Sequence, residues 1–358
     1  MIRSLLLASA ACALALPAAA ETVAIVNARI EPVSGPAIPT GTLVIKDGKI
    51  AALGASVAVP ADAKVIDAKG GVVTPGLVAS SSNLGASEVS GVRETRDDGT
   101  GNALSAAFDI SYGINPASTF IPFARDGGVT SSAVVPVLSG TGGGAHEHAD
   151  DGVVEEMTAG KAGDGDPSLF GGQAAFIRLK AGASDIVEAS KLAVTVSLGE
   201  SGARAAGGSR GASLILIRSA LEDARAFASR RSAFEQGATR DFGLSRLDLA
   251  ALIPVVQGKT PLLIRVSRAA DIRQALKLAA EEKIRIILEG VEEGWLVAPE
   301  IAKAGVPVIV DPQADLPDSF ETLASRLDNA ARLNAAGVKV AMGRVKKMMN
   351  AVGSLDVP

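Results

Sequence analysis

The second half of the chain alternates short apolar runs with longer amphipathic stretches, and this alternation limits the folds open to it. The apolar runs between residues 260 and 342 are TPLLIRVS, IRIILEG, VPVIVDP and VKVAM. Stretches of helical periodicity separate them, including DIRQALKLAAEEK, WLVAPEIAKAG and SFETLASRLDNAARLNAAG. Such apolar runs, about six residues long, predict parallel strands that helices bury on both faces. We therefore predict an α/β fold, either a helix-wrapped barrel or a doubly wound sheet.

Glycine-rich motifs give little support to a nucleotide site. No Gly-x-Gly-x-x-Gly opens a helix after a first strand, so the dinucleotide-binding interpretation lacks its main feature. GGSRGAS, residues 207–213, precedes the predicted helix LILIRSALEDARAFASR, and its backbone amides could cradle a phosphate. An ordinary loop before a helix explains the same sequence.

The first part of the chain has a different rhythm. Residues 22–73 alternate apolar and polar positions, which predicts β-strands, and Asp47-Gly48 is a strong hairpin signal. Residues 86–170 are rich in loops, interrupted by a predicted helix in TFIPFARDGG and a predicted strand in VTSSAVVPVLSG. A β unit this small buries too little surface alone and should pack against a partner.

The amino terminus predicts export. Arg3 precedes an apolar run that ends in Ala18-Ala19-Ala20, the pattern of a secretory signal cleaved before Glu21. We expect a periplasmic or secreted protein without a membrane span, because no later apolar run approaches about 18 residues. A lipoprotein anchored at Cys12 is the alternative, although Ser9-Ala10-Ala11 matches a lipobox poorly.

Composition excludes several classes of site. Cys12 is the only cysteine, so the mature chain has neither disulfides nor thiolate metal ligands. The net charge is −4, or −5 without Arg3, which argues against a nucleic-acid partner. A small-molecule ligand remains open.

The candidate site lies at the carboxyl ends of the strands, where parallel βα barrels hold their chemistry. The segment TPGLVASSSNLG, residues 74–85, is a strand after a Pro-Gly turn, and its end displays Ser81 and Asn83. Later strands end near Arg265, Ser267, Glu289 and Asp311. As a set these residues are poor metal donors.

Several segments resemble the metal-dependent amidohydrolase superfamily, especially its exported imidazolonepropionase-like branch. The segments are VNARI, VIKDGKIAALG, VIDAKGGVVTPGLV, SRAADIRQALKLA, GWLVAPEIAKAGVPVIVDP and LNAAGVKVAMG. The resemblance implies a (β/α)8 TIM-like barrel with a small β-sandwich. After the signal peptide, residues 1–20, it assigns 21–70 to the sandwich and 71–358 to the barrel, with a glycine-rich loop inserted at about 138–172.

The resemblance also implies a zinc-dependent hydrolase of C–N bonds in amides, cyclic amides or dipeptides. Relatives follow the Pro-Gly turn with Asp-x-His-x-His, whose imidazoles bind zinc so that a bound water ionises near neutral pH. Here Ala79, Ser81 and Asn83 occupy these positions. Later histidines correspond to Arg265 or Ser267 and to the neighbourhood of Glu289, and the last aspartate to Val345. We therefore expect no metal in this chain.

Each of these residues also has a plainer interpretation. The favoured interpretation of Ser81 and Asn83 is that they are solvated loop residues, and a cap of the following segment is an alternative for Asn83. Arg265 is harder to explain so simply, because a guanidinium inside a barrel needs a carboxylate or an anionic ligand. Glu289, Glu292 and Asp311 are the candidate partners.

Two other groups of residues, the histidines of HEHADD and Ser80–Ser82, have side chains that suit metal binding or nucleophilic chemistry. His146 and His148 in HEHADD offer imidazoles next to carboxylates, but the segment follows three glycines, and a solvated loop is the favoured interpretation. A serine nucleophile among Ser80–Ser82 lacks a nearby histidine base, and no Gly-x-Ser-x-Gly elbow occurs.

The carboxyl terminus, GRVKKMMNAVGSLDVP, contains no strand-like tail for the sandwich. We expect an incomplete barrel rim, which a homo-oligomer or a truncated reading frame would explain. Two hypotheses of function follow, an amidohydrolase impaired by its missing ligands and a non-catalytic binding or partner protein. A third keeps catalysis without metal, with Glu289 as base and Arg265 stabilising an oxyanion.

Overall fold

The computed structural model describes residues 21–89, 92–100, 104–137, 168–232, 236–237, 240–314, 316–317 and 319–343. The predicted signal peptide, His146, His148 and Val345 lie outside the described residues, as does most of the predicted loop insertion. The chain divides between Gly76 and Leu77 into two compact units.

The described strands of the first unit form one sheet. They are β1 Thr22–Ile30, β2 Ile38–Lys46, β3 Lys49–Gly54, β4 Lys64–Asp67 and β5 Val72–Val73. Their order is β3-β2-β1-β4, and β5 also pairs with β1. Strand β2 is antiparallel to β1, whereas β4 and β5 run parallel to it.

The β2–β3 hairpin turns at the predicted dipeptide. Asp47 and Gly48 both have positive φ, 54° and 71°, the geometry that a two-residue type I′ turn requires. Ala28, Ile30 and Leu43 form the small buried cluster of this sheet. The predicted strands of residues 22–73 are therefore confirmed, whereas a second layer that would make a sandwich stays a prediction.

The second unit contains strands in two sheets. The strands are β6 Leu77–Ser82, β7 Val129–Val134, β8 Phe170–Gln173, β9 Ala175–Arg178, β10 Val187–Ala189, β11 Val194–Ser197, β12 Leu262–Val266, β13 Ile286–Gly290, β14 Val308–Val310 and β15 Val340–Met342. One sheet has the order β10-β9-β7-β6 and the other β15-β14-β13-β12-β11-β8. Only Ala174 separates β8 from β9, so one stretch of chain supplies a strand to both sheets.

Helices follow most strands of the larger sheet. The described α-helices are α1 Phe120–Asp126, α2 Gly199–Ala205, α3 Arg210–Ser229, α4 Arg246–Val256, α5 Ala269–Glu282, α6 Ala298–Ala304 and α7 Asn329–Ala335. Strands β11 to β15 are mutually parallel. The predicted βα alternation of this region is confirmed. None of the helices in the described ranges has both the length and the hydropathy that a bilayer crossing needs.

The two faces of the larger sheet bury different clusters. Val196, Ile264 and Leu288 belong to the main core together with helix residues such as Leu221 and Ile272. Each large side chain buried in this way stabilises the fold by about 1.5–3 kcal/mol. Because both faces of these strands are covered, their sequences are apolar at consecutive positions.

The opposite face contributes to a smaller apolar cluster that draws on both sheets. Leu263, Ile287 and Ile309 of the larger sheet meet Val135, the residue after β7, and Ala174. A Cβ added at Gly343, just after β15, would lie 3.5 Å from Cβ of Ser81 in β6. The ladder hydrogen bonds nevertheless leave two separate sheets, so the mixed α/β fold is confirmed and barrel closure is not.

One predicted helix is much shorter than its periodicity suggested. The stretch 319–337 was predicted to be helical, but the described residues of 319–328 form turns and α7 covers only Asn329–Ala335. Glu293 Oε1 accepts a hydrogen bond from Ala324 N at 3.1 Å, and Trp295 Nε1 donates to Ala324 O at 2.8 Å. These tertiary hydrogen bonds use backbone groups that a helix would need.

Candidate functional site

The candidate site begins with a row of residues across the ends of the parallel strands. The strand register places Ser197 opposite Arg265, Arg265 opposite Glu289, and Glu289 opposite Ile309. Side chains two residues apart on a strand share a face. Arg265 and Glu289 therefore share the face of the small apolar cluster that contains Leu263 and Ile287.

Three of the four predicted site residues meet here, in what we call the Ser81–Glu289–Arg265 cluster. Ser81 Oγ donates a hydrogen bond to Glu289 Oε1, and Arg265 Nε donates to Glu289 Oε2 at 2.6 Å. Ser81 is 4% exposed, and the side chains of Glu289 and Arg265 are 11% and 27% exposed. Each carboxylate oxygen thus has a donor, and the charge of Glu289 is offset by an adjacent cation.

Glu289 is the ion-pair partner of Arg265. The sequence left Glu289, Glu292 and Asp311 as candidates. Among the ion pairs of the described residues, Arg265 pairs with Glu289. Asp311, just beyond β14, accepts from Gln313 N at 3.0 Å through Oδ1, while its buried Oδ2 has no hydrogen-bond partner in the described ranges.

Asn83 takes part in a different interaction. Its Nδ2 donates to Asp98 Oδ2 at 3.0 Å, and Arg96 Nε lies 3.5 Å from Asp98 Oδ1. Asp98 is buried, so Asn83 and Arg96 compensate an otherwise costly carboxylate. The sequence interpretation missed Asp98, because it lies in an irregular segment with no periodicity to place it.

The described residues do not fit a zinc centre. No group of three or more His, Cys, Asp or Glu side chains in the described ranges is placed to hold a metal ion. At the strand ends, a serine hydroxyl and a guanidinium already donate to the two oxygens of Glu289. Zinc in proteins takes nitrogen, thiolate or carboxylate ligands, and a cation such as Arg265 repels it.

Carboxylates surround the start of α3, where a phosphate cradle was one interpretation. Arg210 Nη2 donates to Glu321 Oε1 at 2.9 Å, and Asp271 Oδ2 lies 3.4 Å from Arg210 Nε. The hydrogen bond to Glu321 raises the pKa of Arg210. Because this cation is paired with two acids, the arrangement disfavours a bound phosphate.

Comparison with solved structures assigns the fold. The chain resembles an amidohydrolase from Thermotoga maritima MSB8 with a TM-score of 0.73 and 21% identity, over 90% of this chain and 78% of that one. The chain therefore has an amidohydrolase fold.

Two other solved structures are much less similar. A prolidase in complex with N-methylphosphonate-L-proline has a TM-score of 0.39 and 16% identity, over 90% of this chain and 78% of that one. N-isopropylammelide isopropylaminohydrolase from Burkholderia multivorans ATCC 17616 has a TM-score of 0.42 and 14% identity, over 90% and 74%. No protein-family model matches the chain, and no curated protein matches it in sequence.

Proposed function

We propose that this chain is an exported amidohydrolase-superfamily protein, related to hydrolases of C–N bonds, that binds a small molecule without metal-dependent hydrolysis. The observation that carries the proposal is the occupation of both Glu289 oxygens by Ser81 and Arg265. These residues stand at the positions where the family resemblance places histidine ligands. A closed (β/α)8 barrel and a sandwich in the first unit belong to the same proposal.

The replacement of a metal ion by Arg265 is consistent with elementary electrostatics. In a metal hydrolase the ion neutralises nearby carboxylates and lowers the pKa of its bound water to about 7. Arg265 supplies the first of these functions, because its charge offsets Glu289. A guanidinium cannot coordinate a water molecule as a metal ion does, so no water is ionised near neutral pH.

A metal-independent hydrolase is the second candidate, favoured by the hydrogen bond from Ser81 Oγ to Glu289. A hydroxyl donating to a carboxylate is the arrangement of a nucleophile and its base. Glu289 also forms an ion pair with Arg265, however, so its second oxygen is already engaged by a cation. This second candidate predicts hydrolysis without metal that the Ser81→Ala variant loses.

The test is hydrolysis of N-acyl amino acids, dipeptides and cyclic amides by the purified full chain, with and without added zinc. The proposal predicts that neither condition exceeds the rate without protein. Zinc-dependent turnover that Glu289→Gln abolishes would overturn it in favour of a metal hydrolase. Zinc-independent turnover that Ser81→Ala abolishes would overturn it in favour of the second candidate. Arg225→Gln, which breaks the ion pair with Glu282 between α3 and α5, is the control variant.

A further inference from the structure

The guanidinium of Arg265 has an unused edge. Its Nε donates to Glu289 at 2.6 Å, but neither Nη atom has a hydrogen-bond partner among the described residues. The Arg265 side chain is 27% exposed, and neither Nη atom is among the buried polar atoms that lack a partner in the described ranges. The two Nη groups therefore offer N–H donors at the strand ends that no described protein group accepts.

Glu289 holds this edge in place. The carboxylate receives Arg265 through Nε and Ser81 through its other oxygen, so it is fixed from two strands. A fixed guanidinium loses little side-chain entropy when it binds a ligand. Its remaining edge has two parallel N–H groups, the geometry that matches the two oxygens of a carboxylate.

The charge balance selects the class of anion. Arg265 and Glu289 together are neutral, so a bound monoanion leaves one net negative charge in a partly buried place and a dianion leaves two. The second charge carries a further desolvation cost. A monocarboxylate is therefore favoured over a phosphate dianion.

We propose that the Nη edge of Arg265 binds the carboxylate of a small-molecule ligand at the ends of the parallel strands. The inference deepens the proposed function, since it names the ligand class of the same site. Ser81 and Glu289 act as positioning residues for the guanidinium.

The experiment measures the thermal unfolding of the full chain with N-acetylglycine, its uncharged amide N-acetylglycinamide, and inorganic phosphate. We expect N-acetylglycine to raise the melting temperature by a given amount at a concentration at least tenfold lower than N-acetylglycinamide or phosphate requires. Arg265→Gln should abolish the response to the acid, and Arg225→Gln, which removes the same charge from a half-buried ion pair between α3 and α5, should keep it. Equal effects of acid and amide, or an unchanged response in Arg265→Gln, would overturn the inference.

A conservative variant covers the case in which Arg265→Gln does not fold. Arg265→Lys keeps the charge but not the paired donors, so we expect at least tenfold weaker binding of N-acetylglycine. Unchanged affinity in Arg265→Lys would overturn the inference as well. If the proposed function is wrong, hydrolytic turnover will show it. Binding of a carboxylate by Arg265 is measured separately and does not depend on that result.

Discussion

Glu289 is largely but not fully buried, with its side chain 11% exposed, and it accepts hydrogen bonds from residues on two other strands. A buried carboxylate that loses its cation is strongly destabilising, whereas replacing both partners by apolar groups is often neutral. Stability therefore depends on the pair more than on either residue alone.

A double-mutant cycle tests this dependence. We expect Arg265→Met and Glu289→Leu each to lower the free energy of unfolding by about 2–3 kcal/mol, below the fully buried range because Arg265 keeps some solvent contact. The double variant should lose less than the sum, as urea unfolding will measure. The exposed pair Arg273 and Glu300 should show coupling of at most about 0.5 kcal/mol. Strictly additive losses at Arg265 and Glu289 would contradict the account.

Asp328 makes a second prediction, on pH. Hydrogen bonds from Arg326 and Arg332 lower the pKa of Asp328. Both guanidiniums also lie over the ring of Trp295, with their Cζ atoms 4.8 and 5.4 Å from the ring centroid. Because the pKa of Asp328 is lower in the folded state than in the unfolded state, its ionised form stabilises the fold above the ordinary aspartate pKa of about 4. This stabilisation is lost as the pH falls through the pKa of the folded state.

Trp295 is the only tryptophan, so its fluorescence reports this change. We expect a transition below about pH 4 in the wild type. The Asp328→Asn variant should lack that transition. If the two proteins titrate alike, the stacking does not depend on the Asp328 ion pairs.

Single residues were predictable where a strand periodicity placed them. Ser81, Arg265 and Glu289 each end an apolar strand, so the sequence located them at one edge before their contacts were known. The sequence limited the partner of Arg265 to Glu289, Glu292 or Asp311, but the choice among them depends on the register and on side-chain reach. Asn83 and Asp98 show the limit, since nothing local connects a strand end with a carboxylate in an irregular segment.

At the level of elements, Asp248 ties α4 to a distant loop. Its Oδ1 accepts from Ser105 N at 3.0 Å and Ala107 N at 2.8 Å, and its Oδ2 accepts from Ser245 Oγ at 2.6 Å. Ser245 Oγ in turn accepts from Asp248 N at 3.2 Å and caps the helix. The Ser-x-x-Asp spacing signals this cap, but the contact with residues 105–107 has no sequence signal.

The Asp248→Ala variant tests that connection. Loss of the cap interactions together with two unsatisfied backbone donors should lower the free energy of unfolding by about 3 kcal/mol. Chemical denaturation measures the loss, with Asp126→Ala, an exposed position at the end of α1, as the control. A loss no greater than that of the control would show that the loop does not depend on Asp248.

Element boundaries were predictable where local and tertiary preferences agree. The apolar runs became β12 to β15, and the periodic stretch after β12 became α5, because burial on both faces and amphipathicity act in the same direction. The stretch 319–328 shows the opposite case. There the contacts of Glu293 and Trp295 with Ala324 override a helical pattern, and no local sequence signal reports them.

At the scale of the molecule, two sheets of the second unit share one apolar cluster, and the fold is that of an amidohydrolase. From the sequence, the alternation of strands and helices predicted an α/β fold, and the family resemblance implied the amidohydrolase fold. At the strand ends, Ser81, Glu289 and Arg265 form one hydrogen-bonded cluster. Scaffold and chemistry are therefore separable here, since the helices bury one face of the strands while the other face holds the Ser81–Glu289–Arg265 cluster.

The most direct test of this account is the zinc content of the full chain, purified without chelators and then equilibrated with excess zinc. We expect less than about 0.1 zinc per chain, since Ser81 and Arg265 offer no lone pair that suits the ion and Glu289 is already engaged. The Glu289→Gln variant should give the same value. Retention of about one or two zinc ions per chain that Glu289→Gln removes would contradict the account.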